Sequence, residues 1–69
     1  MDSQNQLAKI LKKARNKAKL TQAQVAEKAD ITTNYYARIE RGEVNPTVDV
    51  VDNIAKALKM NLQFPLKTK

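Results

Sequence analysis

The sequence predicts a small all-α domain, a compact bundle of four to five helices arranged around a helix-turn-helix. Three observations favour this class. In several short segments apolar residues recur every three to four positions, which is the spacing of one helix face. Threonine, a preferred residue at helix starts, precedes three of these segments, at Thr21, Thr32 and Thr47. The chain has 69 residues, which is the size of a single domain, and we take residues 1–69 as one.

The first predicted helix runs from about residue 4 to residue 18. Ser3 to Gln6, SQNQ, has the pattern of a capping box, in which a serine side chain and a glutamine side chain satisfy the first amides. The apolar residues that follow at helical spacing are Leu7, Ile10, Leu11, Ala14 and Ala18.

Two short helices are predicted next. Thr21 to Gln24, TQAQ, is a second capping box and opens a helix that ends near Asp30. Thr32 caps a helix from Thr33 to Arg41, and Gly42 is expected to end it in a left-handed conformation. Helices this short are not stable alone, so they must pack against neighbours. Ala26 is small enough to let the helix that follows Thr32 cross closely over the helix that follows Thr21, as a helix-turn-helix requires.

Thr47 caps a fourth predicted helix, whose apolar stripe is Val48, Val51, Ile54, Ala55 and Leu58. Beyond it the period changes to two, because Leu62, Phe64 and Leu66 alternate with polar residues and a proline. This alternation favours a strand, and the same strand of a second copy would complete a two-stranded ribbon. We therefore predict a C-terminal dimerisation segment at about residues 60–67. The alternative is a tail that packs on the core of its own chain.

The composition argues against several classes of protein. The chain has no cysteine and no histidine, so disulfides and the commonest metal ligands are excluded, and we expect no metal and no cofactor. Its i,i+3 carboxylate pairs, Glu27 with Asp30 and Asp49 with Asp52, are predicted on exposed helix faces without a pocket, so we do not expect an enzyme. No apolar run approaches the ~20 residues that cross a bilayer, and no signal peptide is evident. We expect a cytoplasmic protein.

The net charge is +6, with a pI near 9.9. A basic balance of this size in a small domain suggests a polyanionic partner. Charge alone leaves a second interpretation open, in which the lysines form an ordinary solvated surface.

Three segments, LTQAQVAEKA, TTNYYARIERG and NPTVDVVDNIAKAL, resemble the Cro/cI-repressor-type helix-turn-helix domains, the XRE family, in the order the family has them. The resemblance covers residues 7 to about 60. It implies a repressor-like bundle that binds duplex DNA as a homodimer, with the recognition helix, about residues 33–41, in the major groove. The implied function is a transcriptional regulator, most simply a repressor, acting on a palindromic operator.

The sequence departs from the family pattern where glycine often ends a helix, because Lys19, Asp30 and Lys59 stand at these places. Either the helices end differently here, or residues with a Cβ adopt a left-handed conformation at a cost of about 1 kcal/mol each. The alternating C-terminal segment resembles a subset of the family that includes antitoxins. The alternative function is thus an antitoxin that binds a toxin as partner protein, although the chain shows no obvious toxin-binding arm.

With Ile39 at the centre of the buried face, the outer face of the recognition helix carries Thr33, Asn34 and Arg38, which we predict to read bases. Arginine can pair with guanine O6 and N7, asparagine with adenine N6 and N7, and threonine can touch a thymine methyl. Tyr36 is directed into the core, where its hydroxyl must find a partner or reach the rim.

Contacts to the DNA backbone are predicted around this helix and at the ends of its neighbours. The predicted residues are Gln22, Thr32, Tyr35, Arg41, Asn45, Thr47 and Lys19. The resemblance further implies a structural ion pair between Arg15 and Glu40. Glu40 is predicted on the partly buried side, where a carboxylate without a partner would cost several kcal/mol.

Overall fold

The computed structural model describes the backbone of residues 3–59 and the side chains of residues 6–59. This part contains four helices: α1, Ser3–Ala18; α2, Gln22–Ala29; α3, Thr33–Glu40; and α4, Val48–Ala57. It contains no strand. The prediction of a small all-α bundle is confirmed. The predicted strand and dimerisation segment, with Leu62, Phe64 and Leu66, lie outside the described residues.

The helices begin where the threonines predict. Each of Thr21, Thr32 and Thr47 has an extended backbone, and its hydroxyl accepts a hydrogen bond from the amide three residues later. At α2 the capping box is complete, because Gln24 Oε1 in turn accepts from the Thr21 amide at 2.8 Å. Helix α1 begins one residue earlier than predicted. Its predicted capping box includes the side chain of Ser3, which lies outside the described side chains.

The helices end in left-handed residues. Lys19, Asp30, Gly42 and Lys59 have φ angles of 61°, 64°, 75° and 55°. After each of the first three helices, two backbone hydrogen bonds form a Schellman motif. At α3, for example, Gly42 N donates to Ile39 O at 3.0 Å and Glu43 N to Arg38 O at 2.9 Å. The helices therefore end at the places where the resembling family has glycine, with lysine and aspartate in the strained conformation.

The core forms around α2, which packs against both α3 and α4, while α1 packs against α3. Its members are apolar residues that the helical periods align: Leu11, Val25, Ala26, Ala29, Tyr36, Ile39, Ile54 and Leu58. Ala26 is almost fully buried, as a close crossing of α2 and α3 requires. This packing positions α3 with one face inward and the other toward solvent.

The helical period predicts an inner face for three apolar residues that are in fact exposed, and this prediction is wrong. Ile10 and Val48 are 48% and 40% exposed, and Ala18 is exposed, whereas Ala8 is buried. Ile10 and Val48 line one shallow groove of about 310 Å³ between α1 and the start of α4. The helical period assigned them to an inner face, but no described residue covers this groove.

None of the four described helices is both long enough and apolar enough to cross a membrane. Within the described residues, acidic side chains nowhere form a group of three that could hold a metal ion.

Candidate nucleic-acid interface

An ion pair between α1 and α3 orients the predicted recognition helix. Arg15 Nε donates to Glu40 Oε2 at 2.7 Å and Arg15 Nη2 to Glu40 Oε1 at 3.1 Å, so the pair is bidentate. The remaining Arg15 nitrogen, Nη1, donates to the carbonyl of Leu20 at 2.9 Å. The Glu40 side chain is 3% exposed and that of Arg15 is 14% exposed. Each of the three guanidinium nitrogens of Arg15 thus donates to a group within the domain.

Burial alone would raise the pKa of Glu40, but hydrogen bonds from neighbouring side chains, led by that from Arg15, outweigh it and hold the pKa below its usual value. The hydrogen bond with Glu40 also raises the pKa of Arg15. A carboxylate whose pKa is lower in the folded than in the unfolded chain contributes stability above the unfolded pKa. That contribution is lost as pH falls through the folded pKa. Glu40 therefore ties α3 to the domain as long as it is ionised.

Gln22, predicted to contact the DNA backbone, belongs to the same network. Its Nε2 donates to Glu40 Oε1 at 3.0 Å and the side chain is half-buried. An amide nitrogen carries two hydrogens, so Gln22 can donate one to Glu40 and the other to a phosphate. Glu40 thereby joins α1, the start of α2 and the end of α3.

Tyr36 lies fully buried in the core, as predicted, so its hydroxyl does not reach the rim. It meets the geometry of a hydrogen bond with no described residue, although Glu40 and Arg15 are close enough to affect its ionisation. Burial is the main reason that the pKa of Tyr36 is raised, and both the approach of its hydroxyl to the Glu40 carboxylate and the charge of that carboxylate raise it further, so the hydroxyl stays neutral. The expectation that this hydroxyl finds a partner or reaches the rim is therefore not met by hydrogen-bond geometry within the described residues.

The three residues predicted to read bases are exposed on α3. Thr33 and Asn34 lie in its first turn and Arg38 one turn later. Asn34 and Arg38 lie on the side opposite the buried Tyr36 and Ile39, whereas Thr33 lies at the edge of the exposed face, seven residues before Glu40 and on the same side of the helix. Tyr35 is half-buried, with its ring packed against the core. The helix therefore presents a polar face on a rigidly oriented element.

The two exposed arginines of this region share one carboxylate. Arg41 Nε donates to Glu43 Oε2 at 2.7 Å and Arg41 Nη2 to Glu43 Oε1 at 3.2 Å. Arg38 Nε lies 3.4 Å from Glu43 Oε1. The hydrogen bond from Arg41 is the main reason that the pKa of Glu43 is lowered, and the contact likewise raises the pKa of Arg41. The structure thus brings Arg38 and Arg41 together around an acid.

The other predicted backbone contacts lie at element ends. Thr32 and Thr47 are exposed N-caps of α3 and α4, and each hydroxyl, which accepts from an amide, retains its own hydrogen for donation. Lys19 is exposed after α1, and Asn45 is exposed in the loop between α3 and α4. Gln22 contacts the Arg15–Glu40 ion pair. By contrast, we find no hydrogen bond or ion pair among the described residues that joins any of these four residues to Arg38, Arg41 or Glu43.

Sequence reasoning missed Glu43 as part of this site. A local signal for it existed. In a Schellman motif, the residue that follows the left-handed residue lies beside the residue four positions before the left-handed one. With Gly42 as the left-handed residue, these two are Glu43 and Arg38. The contact between Gln22 and Glu40, which spans 18 positions, has no comparable local signal.

Comparison with known proteins also supports the interpretation of this region as a helix-turn-helix. The family model described as helix-turn-helix matches residues 11–64. The immunity repressor protein of Bacillus phage phi105 is 44% identical over 48 residues, which cover 70% of this chain and 33% of the phage protein. An uncharacterized HTH-type transcriptional regulator from each of two Mycobacterium tuberculosis strains is 32% identical over 54 residues, covering 78% of this chain and 39% of each relative.

The chain thus spans between a third and two fifths of the length of the curated relatives that it matches. No solved structure matches it significantly. The family match covers the capped helices, the helix-turn-helix and the exposed face of α3. The chain belongs to the XRE-type helix-turn-helix family, whose members are DNA-binding transcriptional regulators.

Proposed function

We propose that the protein is a sequence-specific transcriptional repressor that binds a palindromic operator as a homodimer, with α3 in the major groove. The observation that carries this proposal is the two-sided character of α3. Its buried face is anchored by Tyr36, Ile39 and the ion-paired Glu40, while Thr33, Asn34 and Arg38 face solvent. Side chains that read bases must be held by a rigid element if they are to discriminate among sequences.

The exposed residues of α3 have the chemistry that major-groove readout needs. Arg38 can donate two parallel hydrogen bonds to guanine, and Asn34 can both donate to and accept from adenine. Thr33 offers a methyl group for thymine and a hydroxyl for other base edges. Their place in the first two turns of α3 agrees with a recognition helix whose N-terminal part faces the bases.

Contacts to phosphates would set the register of the domain on the duplex. Arg41 follows α3, and the half-buried Gln22 can direct one amide hydrogen outward while the other holds Glu40. Thr32, Thr47, Lys19, Asn45 and the Tyr35 hydroxyl complete the set we propose. None of these contacts distinguishes one base pair from another, so each should contribute to affinity at every sequence.

The proposed homodimer rests on the C-terminal sequence pattern. Leu62, Phe64 and Leu66 alternate with residues suited to the solvent side of a ribbon. A two-fold dimer places its recognition helices on half-sites about one helical turn apart, roughly 34 Å. The operator should then be palindromic with that spacing. The name of the phage relative, an immunity repressor, favours repression over activation.

An antitoxin that captures a partner protein is the alternative. Among the described residues, the surfaces that could receive a protein side chain include a groove of about 310 Å³ beside Ile10 and Val48 and a smaller one of about 210 Å³ beside Leu20 and Leu58. Neither groove by itself makes an interface, since a stable protein–protein interface buries about 800 Å² on each partner. The exposed polar face of α3 carries side chains suited to base readout, so we prefer the regulator.

Selection of bound sequences from a random duplex pool tests the proposal, with the oligomeric state measured on the same preparation. We expect enrichment of a palindrome whose two half-sites are separated by about one turn of DNA. Affinity for this duplex should fall steeply with added salt, because phosphate contacts release counterions.

Two outcomes would count against the proposal. Recovery of unrelated sequences with equal affinity would reduce the protein to a non-specific DNA binder. A flat salt response would argue against contact with the phosphates of duplex DNA.

A further inference from the structure

We propose that Glu43 sets the affinity of the protein for DNA by acting as an internal anion, which occupies Arg38 and Arg41 until duplex phosphates and bases displace it. This inference rests on the proposed function, since it assigns a role to a residue next to the proposed interface. Glu43 itself would not touch the DNA as a ligand. Its carboxylate would compete with the DNA for the same two guanidinium groups.

The backbone holds Glu43 in this position. Gly42, with a φ of 75°, reverses the chain after α3, and Glu43 N then donates to Arg38 O at 2.9 Å. A Schellman motif often brings two apolar side chains together at these two positions. Here the two positions hold an acid and a base, so the motif closes with an ion pair.

The side-chain geometry gives Glu43 access to both arginines at once. Its Oε2 accepts from Arg41 Nε at 2.7 Å, and its Oε1 lies 3.2 Å from Arg41 Nη2 and 3.4 Å from Arg38 Nε. All three side chains are about half exposed, at 48% for Arg38, 54% for Arg41 and 45% for Glu43. The cluster is therefore open to a competing anion from solvent.

Binding of a duplex must break these contacts if Arg38 turns to a guanine and Arg41 to a phosphate. Two arginine–carboxylate contacts are then exchanged for contacts with DNA, and the released carboxylate remains close to phosphates of the same sign. Both effects weaken binding, and they weaken it without removing any residue that reads the sequence. An exposed ion pair is worth little by itself, so we expect a modest effect that adjusts affinity and does not abolish it.

The test compares full-length Glu43→Gln with wild type on the duplex enriched by selection and on a random-sequence duplex. Glu43→Gln should bind both about three- to tenfold more tightly. Its plot of log affinity against log salt should be steeper by roughly one unit, because about one more phosphate charge is neutralised.

Two further variants separate the contact from the charge. Glu27→Gln removes an exposed acid of α2 and changes the net charge equally, and it should stay within about twofold of wild type. Glu43→Asp keeps the charge but shortens the side chain by one methylene, so it cannot hold both arginines at the same distances and should show part of the gain. In an Arg41→Ala background, Glu43→Gln should gain less than in wild type, because one of its two partners is gone.

A gain for Glu43→Gln no larger than that for Glu27→Gln would overturn the inference, and so would weaker binding. Glu43→Asp with wild-type affinity would attribute the effect to charge alone and reject the contact. These failures leave a wild-type protein that still selects its duplex. If wild type selects and binds no duplex, the proposed function itself fails, and the role of Glu43 fails with it.

Discussion

Tyr36 is the buried residue whose chemistry fits its surroundings least well. Of the side-chain polar atoms that the structure describes, its hydroxyl is the buried one without a hydrogen-bond partner. A buried hydroxyl that loses water and gains no partner costs about 1–3 kcal/mol. The ring, by contrast, is fully buried in the core cluster and contributes to its packing. The position therefore favours the apolar part of tyrosine over its polar end.

Tyr36→Phe should stabilise the protein by about 1 kcal/mol, because it keeps the ring and removes the unsatisfied hydroxyl. Urea unfolding followed by circular dichroism measures the change. Tyr35→Phe is the matched control, and since Tyr35 is half-buried it should stay within about 0.5 kcal/mol of wild type. A loss of stability in Tyr36→Phe would mean that the hydroxyl donates to Glu40 after all.

Arg38 and Arg41 share Glu43 but should differ in what they recognise. Arg38→Ala should cost about 1–3 kcal/mol of binding and relax the preference at one base pair of each half-site. Arg41→Ala should weaken binding to all sequences alike, because a phosphate contact carries no sequence information. Sequence selection repeated with each variant measures both effects. Unchanged preferences in Arg38→Ala would remove this residue from the set that reads bases.

At the scale of elements, the helix ends are specified by local chemistry. Threonine hydroxyls satisfy amides at three helix starts, and left-handed residues complete Schellman motifs at the ends of α1, α2 and α3. Gly42 adopts its φ of 75° without steric cost, whereas Lys19 at 61° and Lys59 at 55° do not. The helices therefore end in the left-handed conformation even where a lysine must adopt it, and each of these lysines lowers the stability of the fold somewhat.

Lys19→Gly should stabilise the protein by about 0.5–1 kcal/mol, because glycine tolerates the left-handed conformation that closes α1. Thermal or urea unfolding measures the difference. Lys13→Gly is a matched control, as the same replacement within helix α1 should destabilise by about 1 kcal/mol. If both variants lose stability, the cost of a left-handed lysine is smaller than the entropy that glycine loses on folding.

At the scale of the whole molecule, the proposed function depends on two copies acting together. One domain offers a single recognition helix and few contacts, and small domains often gain stability by association. A second linked domain turns the second half-site into an effectively intramolecular contact. The affinity of the operator complex should therefore depend on residues that lie far from the DNA.

Truncation after Asn61, which removes Leu62 and Phe64, should yield monomers and lower operator affinity roughly 100-fold or more. Sedimentation measures the mass and titration of the selected duplex measures the affinity. Truncation after Leu66 is the control and should leave the dimer intact. A shortened chain, still folded by circular dichroism, that sediments as a dimer would show that the ribbon is not the dimer interface.

The sequence by itself determined the local architecture of this protein. The starts of α2, α3 and α4, the left-handed Gly42 and most of the core could be predicted, because caps and helical periods act over a few neighbouring residues. The exposed positions of Thr33, Asn34 and Arg38 followed from the same period once Ile39 was set inward.

Only the tertiary structure decided how these elements meet. The contact of Gln22 with Glu40, the unsatisfied hydroxyl of Tyr36 and the exposure of Ile10 and Val48 all depend on residues distant in the chain. The ionic cluster at Glu43 lies between these cases, because a local turn brings Glu43 back to Arg38, while the side-chain rotamers bring in Arg41. Periodicity assigns a residue to a helix face, but whether that face is covered depends on where packing places the neighbouring helix.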